Sequence, residues 1–184
     1  MLNVIFIISM LCFLTNAKEY KAVDELSLPQ YMGSWYEVYQ DNFDKLFQNN
    51  ARCSKATYRI VDDNKVSVLN EEINSSNEYE NIEGYAFYKD DDCCGYLTVH
   101  LDGQTDAPYW VLELGPIKDD LYEYAIVSDN QGYSLFVLTR DVDRFFKYYN
   151  EDVLVSLKEF GFDKKYNSPI EMNQTNCSII TYKS

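Results

Sequence analysis

The stretch Tyr31-Met32-Gly33-Ser34-Trp35-Tyr36-Glu37-Val38 decides the fold of this chain. Aromatic and β-branched residues are frequent from Trp35 onward, which predicts a strand over residues 35–40. Glycine adopts backbone conformations that other residues avoid, so Gly33 permits a tight entry into that strand. The chain is therefore expected to begin its ordered part with a sharp turn followed by a β-strand.

Downstream of this strand, short β-rich runs alternate with clusters of Asp, Asn, Ser and Gly. Such clusters are typical of turns, and the regular spacing predicts strands joined by hairpins in a sandwich or an up-and-down barrel. Several runs alternate in hydrophobicity, as expected of strands with one buried face. The eight predicted strands are residues 35–40, 54–61, 65–73, 79–88, 96–101, 109–114, 121–127 and 133–140.

The pattern changes after Arg140. Apolar residues recur at helical intervals over residues 142–160, which predicts an α-helix that covers or braces the sheet. Asp141 or Asp143 can cap its start, and Gly161 can end it. The remaining tail is predicted to be loop, with a short added strand at 178–182.

The N-terminus has the pattern of a secretory signal. Residues 4–14 form an apolar run too short to span a bilayer comfortably, and Ala17 offers a cleavage site. We therefore expect a signal peptide over 1–17, one domain over 18–184, and delivery to the extracellular space or a secretory lumen. No basic residue precedes the apolar run, so an uncleaved anchor stays the alternative.

Charge and composition argue against several classes of function. The formal net charge is -14, and a surface this acidic repels nucleic acid and anionic membranes. His100 is the one histidine, lies in no nucleophile motif, and is predicted to face outward from its strand, so neither an enzyme nor a haem ligand is expected. With one histidine and no Cys-x-x-Cys pair, no metal site is expected either.

Two further features complete a family pattern. Arg140 ends the last predicted strand, and the run Ala107-Pro108-Tyr109-Trp110-Val111-Leu112 begins the sixth. Together with Gly33 and Trp35, these residues resemble the lipocalin family over residues 28–177, in the branch of apolipoprotein D and bacterial lipocalin. The family's third motif is degraded here, to Asp119-Asp120-Leu121.

The resemblance implies an all-β fold: an eight-stranded antiparallel up-and-down barrel with a C-terminal α-helix. It implies that Trp35 plugs the closed end of the barrel, with Arg140 packed across it. It also implies a disulfide between Cys53 and Cys177. The partners of Cys93 and Cys94 stay open among a strained vicinal bridge, a bridge to another chain, and free thiols.

The resemblance also implies a ligand site inside the barrel. The same residue types would suit an interior filled by side chains, so both interpretations stand at this point. The positions carried over from the family as ligand-binding are Ala56, Tyr58, Val68, Asn70, Glu72, Leu101, Trp110 and Phe136.

The expected function is thus that of a secreted lipocalin that transports or sequesters a small hydrophobic molecule without catalysis. Fatty acids, sterols, carotenoids and tetrapyrroles are the candidate ligands, and no obligate cofactor is expected. Relatives in the branch suggest protection of lipids from oxidation. The alternative is a filled barrel that acts as an interaction scaffold, and self-association into a homo-oligomer is compatible with either function.

Overall fold

A computed structural model describes residues 20–41, 51–88 and 94–177 of the chain. The predicted signal peptide at 1–17, Cys93 and the short strand predicted at 178–182 lie outside the described residues. The structure therefore does not test the signal peptide, the partner of Cys93 or the added strand.

Strands dominate the described part of the chain. Eight of the described strands have five to eleven residues, and the other three have two residues each. Their bounds are β1 (Gly33–Gln40), β2 (Arg52–Asp62), β3 (Lys65–Ile73), β4 (Tyr79–Tyr88), β5 (Tyr96–Leu101), β6 (Ala107–Leu114), β7 (Ile117–Lys118), β8 (Leu121–Tyr122), β9 (Tyr124–Ser128), β10 (Leu135–Thr139) and β11 (Ile170–Glu171).

The long strands form one closed antiparallel barrel. Each strand pairs with the next around the order β1-β2-β3-β4-β5-β6-β9-β10, and β10 pairs with β1. The closing register places Tyr36 opposite Thr139 and Gln40 opposite Phe136, with an irregularity between Glu37 and Tyr39. The predicted eight-stranded up-and-down barrel is therefore confirmed, and the sandwich alternative is wrong.

The strand predicted over 121–127 is divided in two. Leu121 and Tyr122 form β8, which pairs with β7 in a separate hairpin, and the barrel strand β9 starts only at Tyr124. Asp119 and Asp120 make the turn with φ angles of 50° and 62°. Such left-handed angles at both turn positions suit a two-residue hairpin, in which Asp is well tolerated. The degraded family motif thus forms a tight turn beside the barrel.

Helices lie at the two ends of the described chain. A single turn, α1 (Leu28–Tyr31), precedes the barrel and was not predicted. The predicted C-terminal helix is interrupted at Tyr149 into α2 (Val142–Tyr148) and α3 (Asn150–Phe160). Within the described ranges, no helix is both long and apolar enough to cross a membrane.

The predicted ends of the C-terminal helical region are confirmed. The Asp141 side chain accepts a hydrogen bond of 2.9 Å from the Arg144 backbone N–H, which satisfies one of the free donors at a helix start. Gly161 ends α3 in the left-handed conformation, with φ of 87°. These two residues fix where the chain enters and leaves the helices.

Apolar side chains pack on both faces of the barrel wall. One cluster lies inside the barrel, around Trp35, Tyr58 and Val111. The other lies outside, where Phe145 of α2 and Leu157 of α3 pack on the outer faces of β1, β9 and β10. The helices α2 and α3 therefore cover the outer wall, whereas residues of the strands and of α1 form the interior.

The C-terminal tail is fixed to the outside of the barrel. Cys53 and Cys177 form a disulfide across 124 residues, which confirms the predicted pairing. β11 pairs with Tyr39 and Gln40 at the end of β1, and the Cys53 backbone N–H donates to the Asn173 carbonyl at 2.8 Å. In the chain-entropy model, a loop of this length stabilises the fold by about 5 kcal/mol, less any strain.

Candidate ligand-binding cavity

One end of the barrel is closed by Trp35. Its side chain is fully buried, and its indole Nε1–H donates to the Tyr31 carbonyl at 2.8 Å. The guanidinium carbon of Arg140 lies 3.5 Å from the centroid of the indole ring. This contact is a cation–π interaction, and it confirms the predicted packing of Arg140 across Trp35.

Arg140 also ties several backbone segments together. Its guanidinium donates to the carbonyls of Ser34 at 2.8 Å, Tyr31 at 3.0 Å, Tyr122 at 3.2 Å and Gln30 at 3.3 Å. Burial lowers the pKa of Arg140 to about 10, because a desolvated cation is disfavoured. The group still carries its charge at neutral pH, so the closed end is held by a partly buried cation among carbonyl oxygens.

Gly33 makes this arrangement possible. Its φ is +94°, which residues with a side chain rarely adopt, and a Cβ added there would lie 3.4 Å from Nη1 of Arg140. Gly33 therefore both permits the turn before β1 and leaves room for the guanidinium of Arg140. Its predicted structural role is supported by this geometry.

Above the tryptophan lies a cavity of about 700 Å³. Its volume falls in the range of small-molecule sites. This cavity argues against the alternative of a barrel filled by side chains, because small and β-branched side chains at many inward positions leave the centre open. The apolar part of the wall includes Ala56, Val66, Val68, Ala86, Leu97, Val99, Leu101, Phe136 and Leu138.

Three tyrosines line the cavity near its closed end. The rings of Tyr31 and Tyr58 are stacked with centroids 5.8 Å apart, and Tyr109 meets Tyr58 edge-on at 6.3 Å. The Tyr109 hydroxyl lies 2.7 Å from that of Tyr31 and 3.2 Å from that of Tyr58. The three side chains therefore form one hydrogen-bonded group on an otherwise apolar floor.

Burial disfavours ionisation of these phenols. It raises the pKa of Tyr58 to about 12, and it raises the pKa of Tyr31 and of Tyr109 well above the usual value. All three are neutral at physiological pH. The three hydroxyl groups have three protons, and the two hydrogen bonds among them use two of these protons. The third proton can be donated to an acceptor in the cavity.

Carboxylates lie higher on the cavity wall. Glu37 is only 3% exposed and accepts a hydrogen bond from the Ser54 hydroxyl at 2.5 Å. Glu72 and Glu80 face each other across β3 and β4. Partial burial, together with the charge of Glu80, raises the pKa of Glu72. The wall thus combines an apolar majority with a few acidic groups.

Glu71 also reaches the cavity wall, but its charge is compensated. One of its oxygens lies 3.3 Å from the Lys55 ammonium, and the other accepts from the Tyr79 hydroxyl at 3.0 Å. Lys55 and Glu71 are both buried and sit opposite each other on β2 and β3. This pair fixes the wall in place and leaves little net charge for a ligand.

The structure brings together most of the positions carried over from the family. Only Trp110 is placed elsewhere: it lies on the outer face of β6 and packs edge-on against Tyr96, with ring centroids 4.7 Å apart. Strand alternation explains this, because its neighbours Tyr109 and Val111 point inward. The positions found on the cavity wall are Ala56, Tyr58, Val68, Asn70, Glu72, Leu101 and Phe136.

The sequence reasoning did not assign several wall residues to the ligand, and three polar ones among them are Tyr31, Glu37 and Tyr109. Tyr109 and Glu37 were accessible to it, because alternation from Trp35 places Glu37 inward and alternation from Val111 places Tyr109 inward. Tyr31 carried no such signal. It reaches the cavity through α1, a single turn that no pattern predicted.

His100 lies outside the cavity, as alternation predicted. Its ring stacks on Tyr85 with centroids 4.9 Å apart, and its Nδ1 lies 2.7 Å from an Asp106 oxygen. Among the described residues, no group of three or more His, Cys, Asp or Glu side chains is arranged to hold a metal ion. The groups available to a ligand are therefore apolar side chains, phenols, amides and carboxylates.

Comparison of sequences identifies related proteins. Residues 26–166 match the family model described as a lipocalin-like domain. The outer membrane lipoprotein Blc of Vibrio cholerae is 33% identical over 121 residues, which cover 65% of this chain and 68% of that protein. Apolipoprotein D of Cavia porcellus is 30% identical over 105 residues, or 56% of this chain and 51% of that protein.

Comparison of structures gives the same fold. Lobster apocrustacyanin A1 superposes with a TM-score of 0.60 at 17% identity, covering 89% of this chain and 94% of that one. At this identity the likeness concerns the fold alone. With the closed barrel, the stacked tryptophan and arginine, and a family match over most of its length, the chain belongs to the lipocalin family.

Proposed function

We propose that this protein binds and carries a small hydrophobic molecule inside its barrel, without catalysis. The observation that carries the proposal is the cavity of about 700 Å³, which is lined mainly by apolar side chains and includes Tyr31, whose ring packs on that of Trp35. Members of the lipocalin family bind small hydrophobic ligands, which supports the same use here. Fatty acids, sterols, carotenoids and tetrapyrroles are the candidate classes.

The affinity would come mainly from the apolar wall. Each Å² of apolar surface removed from water contributes about 25 cal/mol, so a ligand that buries a few hundred Å² gains several kcal/mol. The leftover hydroxyl proton of the Tyr31–Tyr58–Tyr109 group suits an oxygen acceptor at the deep end of the ligand. A carbonyl or hydroxyl oxygen would satisfy it.

Two neighbouring residues of β5 provide a direct test. Leu101 lines the cavity and His100 faces outward, so Leu101→Trp fills the ligand space whereas His100→Trp adds the same ring outside. Binding of the neutral dye Nile red, followed by fluorescence titration, is expected to weaken at least tenfold in Leu101→Trp and less than twofold in His100→Trp. Native mass spectrometry of the purified protein checks for a copurified molecule.

Equal binding by the two variants and the wild type would show that the dye sits outside the barrel. No dye binding by a folded wild type would overturn the carrier function. Circular dichroism and the urea midpoint of each variant confirm that a loss of binding does not come from unfolding.

The destination of the protein is a separate part of the proposal. We propose that it is secreted into the extracellular space or a secretory lumen, on the basis of the apolar run at 4–14 and the small residue Ala17. The Cys53–Cys177 disulfide supports this, since such bonds persist in oxidising compartments. N-terminal sequencing of protein from the native source should begin at Lys18, and a chain starting at Met1 would contradict the signal peptide.

A further inference from the structure

The three cavity tyrosines have one more hydroxyl proton than they use. Among the residues that the structure describes, the hydroxyls of Tyr31, Tyr58 and Tyr109 form hydrogen bonds only with one another, at 2.7 Å and 3.2 Å. Each phenol hydroxyl has one proton, so three hydroxyls joined by two bonds retain one unused donor. Because all three residues line the cavity, this donor is available to a ligand.

The closed end of the barrel fixes the position of this donor. The Tyr31 carbonyl accepts from the Trp35 indole at 2.8 Å and from the Arg140 guanidinium at 3.0 Å, and the Tyr31 ring packs on the Trp35 ring with centroids 5.0 Å apart. The ring of Tyr58 stacks on that of Tyr31 with only 8° between the two planes. Since these side chains are already held in place, binding a ligand to them costs little conformational freedom.

The surroundings of the three hydroxyls are mainly apolar. Met32 follows Tyr31 in the chain and also lines the cavity, and Leu97 lies opposite Tyr109 on the neighbouring strand. Tyr31 and Tyr58 are themselves buried. A hydrogen-bond donor in such surroundings is destabilised when a ligand excludes water without replacing it as a partner.

The unused proton therefore distinguishes ligands by the group that reaches it. A carbonyl oxygen accepts the proton and adds no further proton to the group. A hydrocarbon end of the same shape excludes water from the same place and leaves the donor unsatisfied, which lowers affinity. The depth of the tyrosines, beside Trp35, means that the end of the ligand that enters first decides the outcome.

We propose that Tyr31, Tyr58 and Tyr109 together select apolar ligands with a carbonyl oxygen at the end that enters the barrel first, and that this oxygen accepts the unused hydroxyl proton. This inference rests on the proposed carrier function and narrows it to a ligand class and an orientation. A sterol-like or carotenoid-like molecule with a ring carbonyl fits it, whereas a fatty acid that enters with its hydrocarbon tail first does not.

A pair of ligands of equal shape tests the selection. Methyl naphthyl ketone and isopropenylnaphthalene, substituted at the same ring position, differ only in that a methylene group replaces the carbonyl oxygen. Each is titrated as a competitor of bound Nile red at neutral pH. The measured quantity is the ratio of the two displacement constants, because the different water solubilities of the ligands cancel when this ratio is compared between protein variants.

The decisive variant removes all three hydroxyls. Tyr31→Phe or Tyr58→Phe alone leaves two hydroxyls that share one hydrogen bond, so an unused proton remains. The triple variant Tyr31→Phe/Tyr58→Phe/Tyr109→Phe keeps the rings and should lower the preference for the ketone at least fivefold. Tyr133→Phe is the control, because Tyr133 is exposed and does not line the cavity, and it should change the ratio less than twofold.

The orientation is tested on the wild-type protein, so this measurement does not depend on the folding of a variant. Isotope-edited NMR of the ketone, with its methyl group labelled, should show nuclear Overhauser contacts from this methyl group to ring protons of Tyr31, Tyr58 or Tyr109. Contacts of the methyl group with Glu72 instead would place the carbonyl higher on the cavity wall and overturn the proposal.

Failure of the selection and failure of the carrier function give different results. An unchanged ratio in the folded triple variant, or an equal change in Tyr133→Phe, overturns the selection while the bound dye shows that the carrier function stands. The selection is also wrong if neither naphthalene displaces the dye although Leu101→Trp abolishes dye binding. If Nile red does not bind the folded wild type, the carrier function itself fails. Circular dichroism and the urea midpoint establish whether the triple variant is folded; if it is not, the NMR contacts of the wild type decide.

Discussion

The two ends of the barrel are built in opposite ways. At the closed end, the guanidinium of Arg140 stacks on Trp35 and donates to four backbone carbonyls, so that polar atoms of the strand ends and of α1 are satisfied by the protein itself. Toward the open end, the wall presents the carboxylates of Glu72 and Glu80 opposite each other on β3 and β4, and Glu80 accepts a hydrogen bond from the Asn74 side chain.

This difference indicates that the closed end contributes mainly to the stability of the fold and the open end mainly to ligand binding. Buried polar groups that are satisfied within the chain hold a structure together, whereas groups left without compensation are available to a ligand at some cost in stability. We therefore expect changes at the closed end to unfold the protein and changes at the open end to alter ligand choice. The following predictions challenge that division, beginning with the largest effect.

Removing the Cys53–Cys177 disulfide should have the largest effect on stability. The double variant Cys53→Ser/Cys177→Ser is expected to lose about 4 to 5 kcal/mol of unfolding free energy, because the unfolded chain regains the freedom of a long loop. Urea denaturation measures the loss. The bond acts on the unfolded state, so one cooperative transition is expected; a separate early transition would mean that the open end unfolds by itself.

Truncating Arg140 tests the closed end directly. Arg140→Met should cost about 3 to 4 kcal/mol, because it removes four hydrogen bonds to partly buried backbone carbonyls together with the contact with Trp35. Arg144→Met is the matched control: Arg144 is partly exposed, pairs with Glu123 at 3.4 Å, and should cost less than about 1 kcal/mol. Equal losses in urea denaturation would contradict a special role for the closed end.

Alkaline pH tests how the buried, hydrogen-bonded tyrosines Tyr31, Tyr58 and Tyr109 affect stability. Burial raises the pKa of Tyr58 from 10.0 to about 12, so the folded protein retains a proton there that the unfolded chain releases. Stability from this group is fully present below pH 10 and is lost as the pH rises to about 12. For a shift of this size the loss is about 3 kcal/mol.

The measurement is the pH dependence of the urea midpoint, together with the absorbance of tyrosinate. Tyr58→Phe should reduce the alkaline loss of stability but not abolish it, because the buried Tyr31 and Tyr109, whose pKa values are also raised, remain. Tyr133→Phe is the control, because Tyr133 is exposed. An unchanged alkaline profile in Tyr58→Phe would show that other groups dominate the transition.

Neutralising the open end should have the smallest effect on stability. Glu72→Gln is expected to change the unfolding free energy by no more than about 0.5 kcal/mol, because substitutions outside buried hydrogen-bond and salt-bridge networks usually have effects of this size. Because the pKa of Glu72 is raised, any change should be toward greater stability at neutral pH. A loss of several kcal/mol in urea denaturation would mean that the open end also holds the fold together.

Strand alternation explains which site residues the sequence could identify. Ala56, Tyr58, Val68 and Leu101 lie on regularly alternating strands and line the cavity as expected. Trp110 was assigned to the ligand by its match to the family, although the neighbouring Tyr109 is the inward residue of that strand. Local register thus identifies a cavity face more securely than residue identity does.

The amino-acid sequence by itself determined the eight barrel strands, the helical region after them, and the roles of Gly33, Trp35 and Arg140, because turn residues, period-two alternation and the family pattern are local properties of the chain. The volume of the cavity and the tyrosine group that joins α1, β2 and β6 were decided only by the tertiary structure. The reason is physical: these properties depend on how residues distant in sequence, such as Tyr31 and Tyr109, meet across a closed barrel.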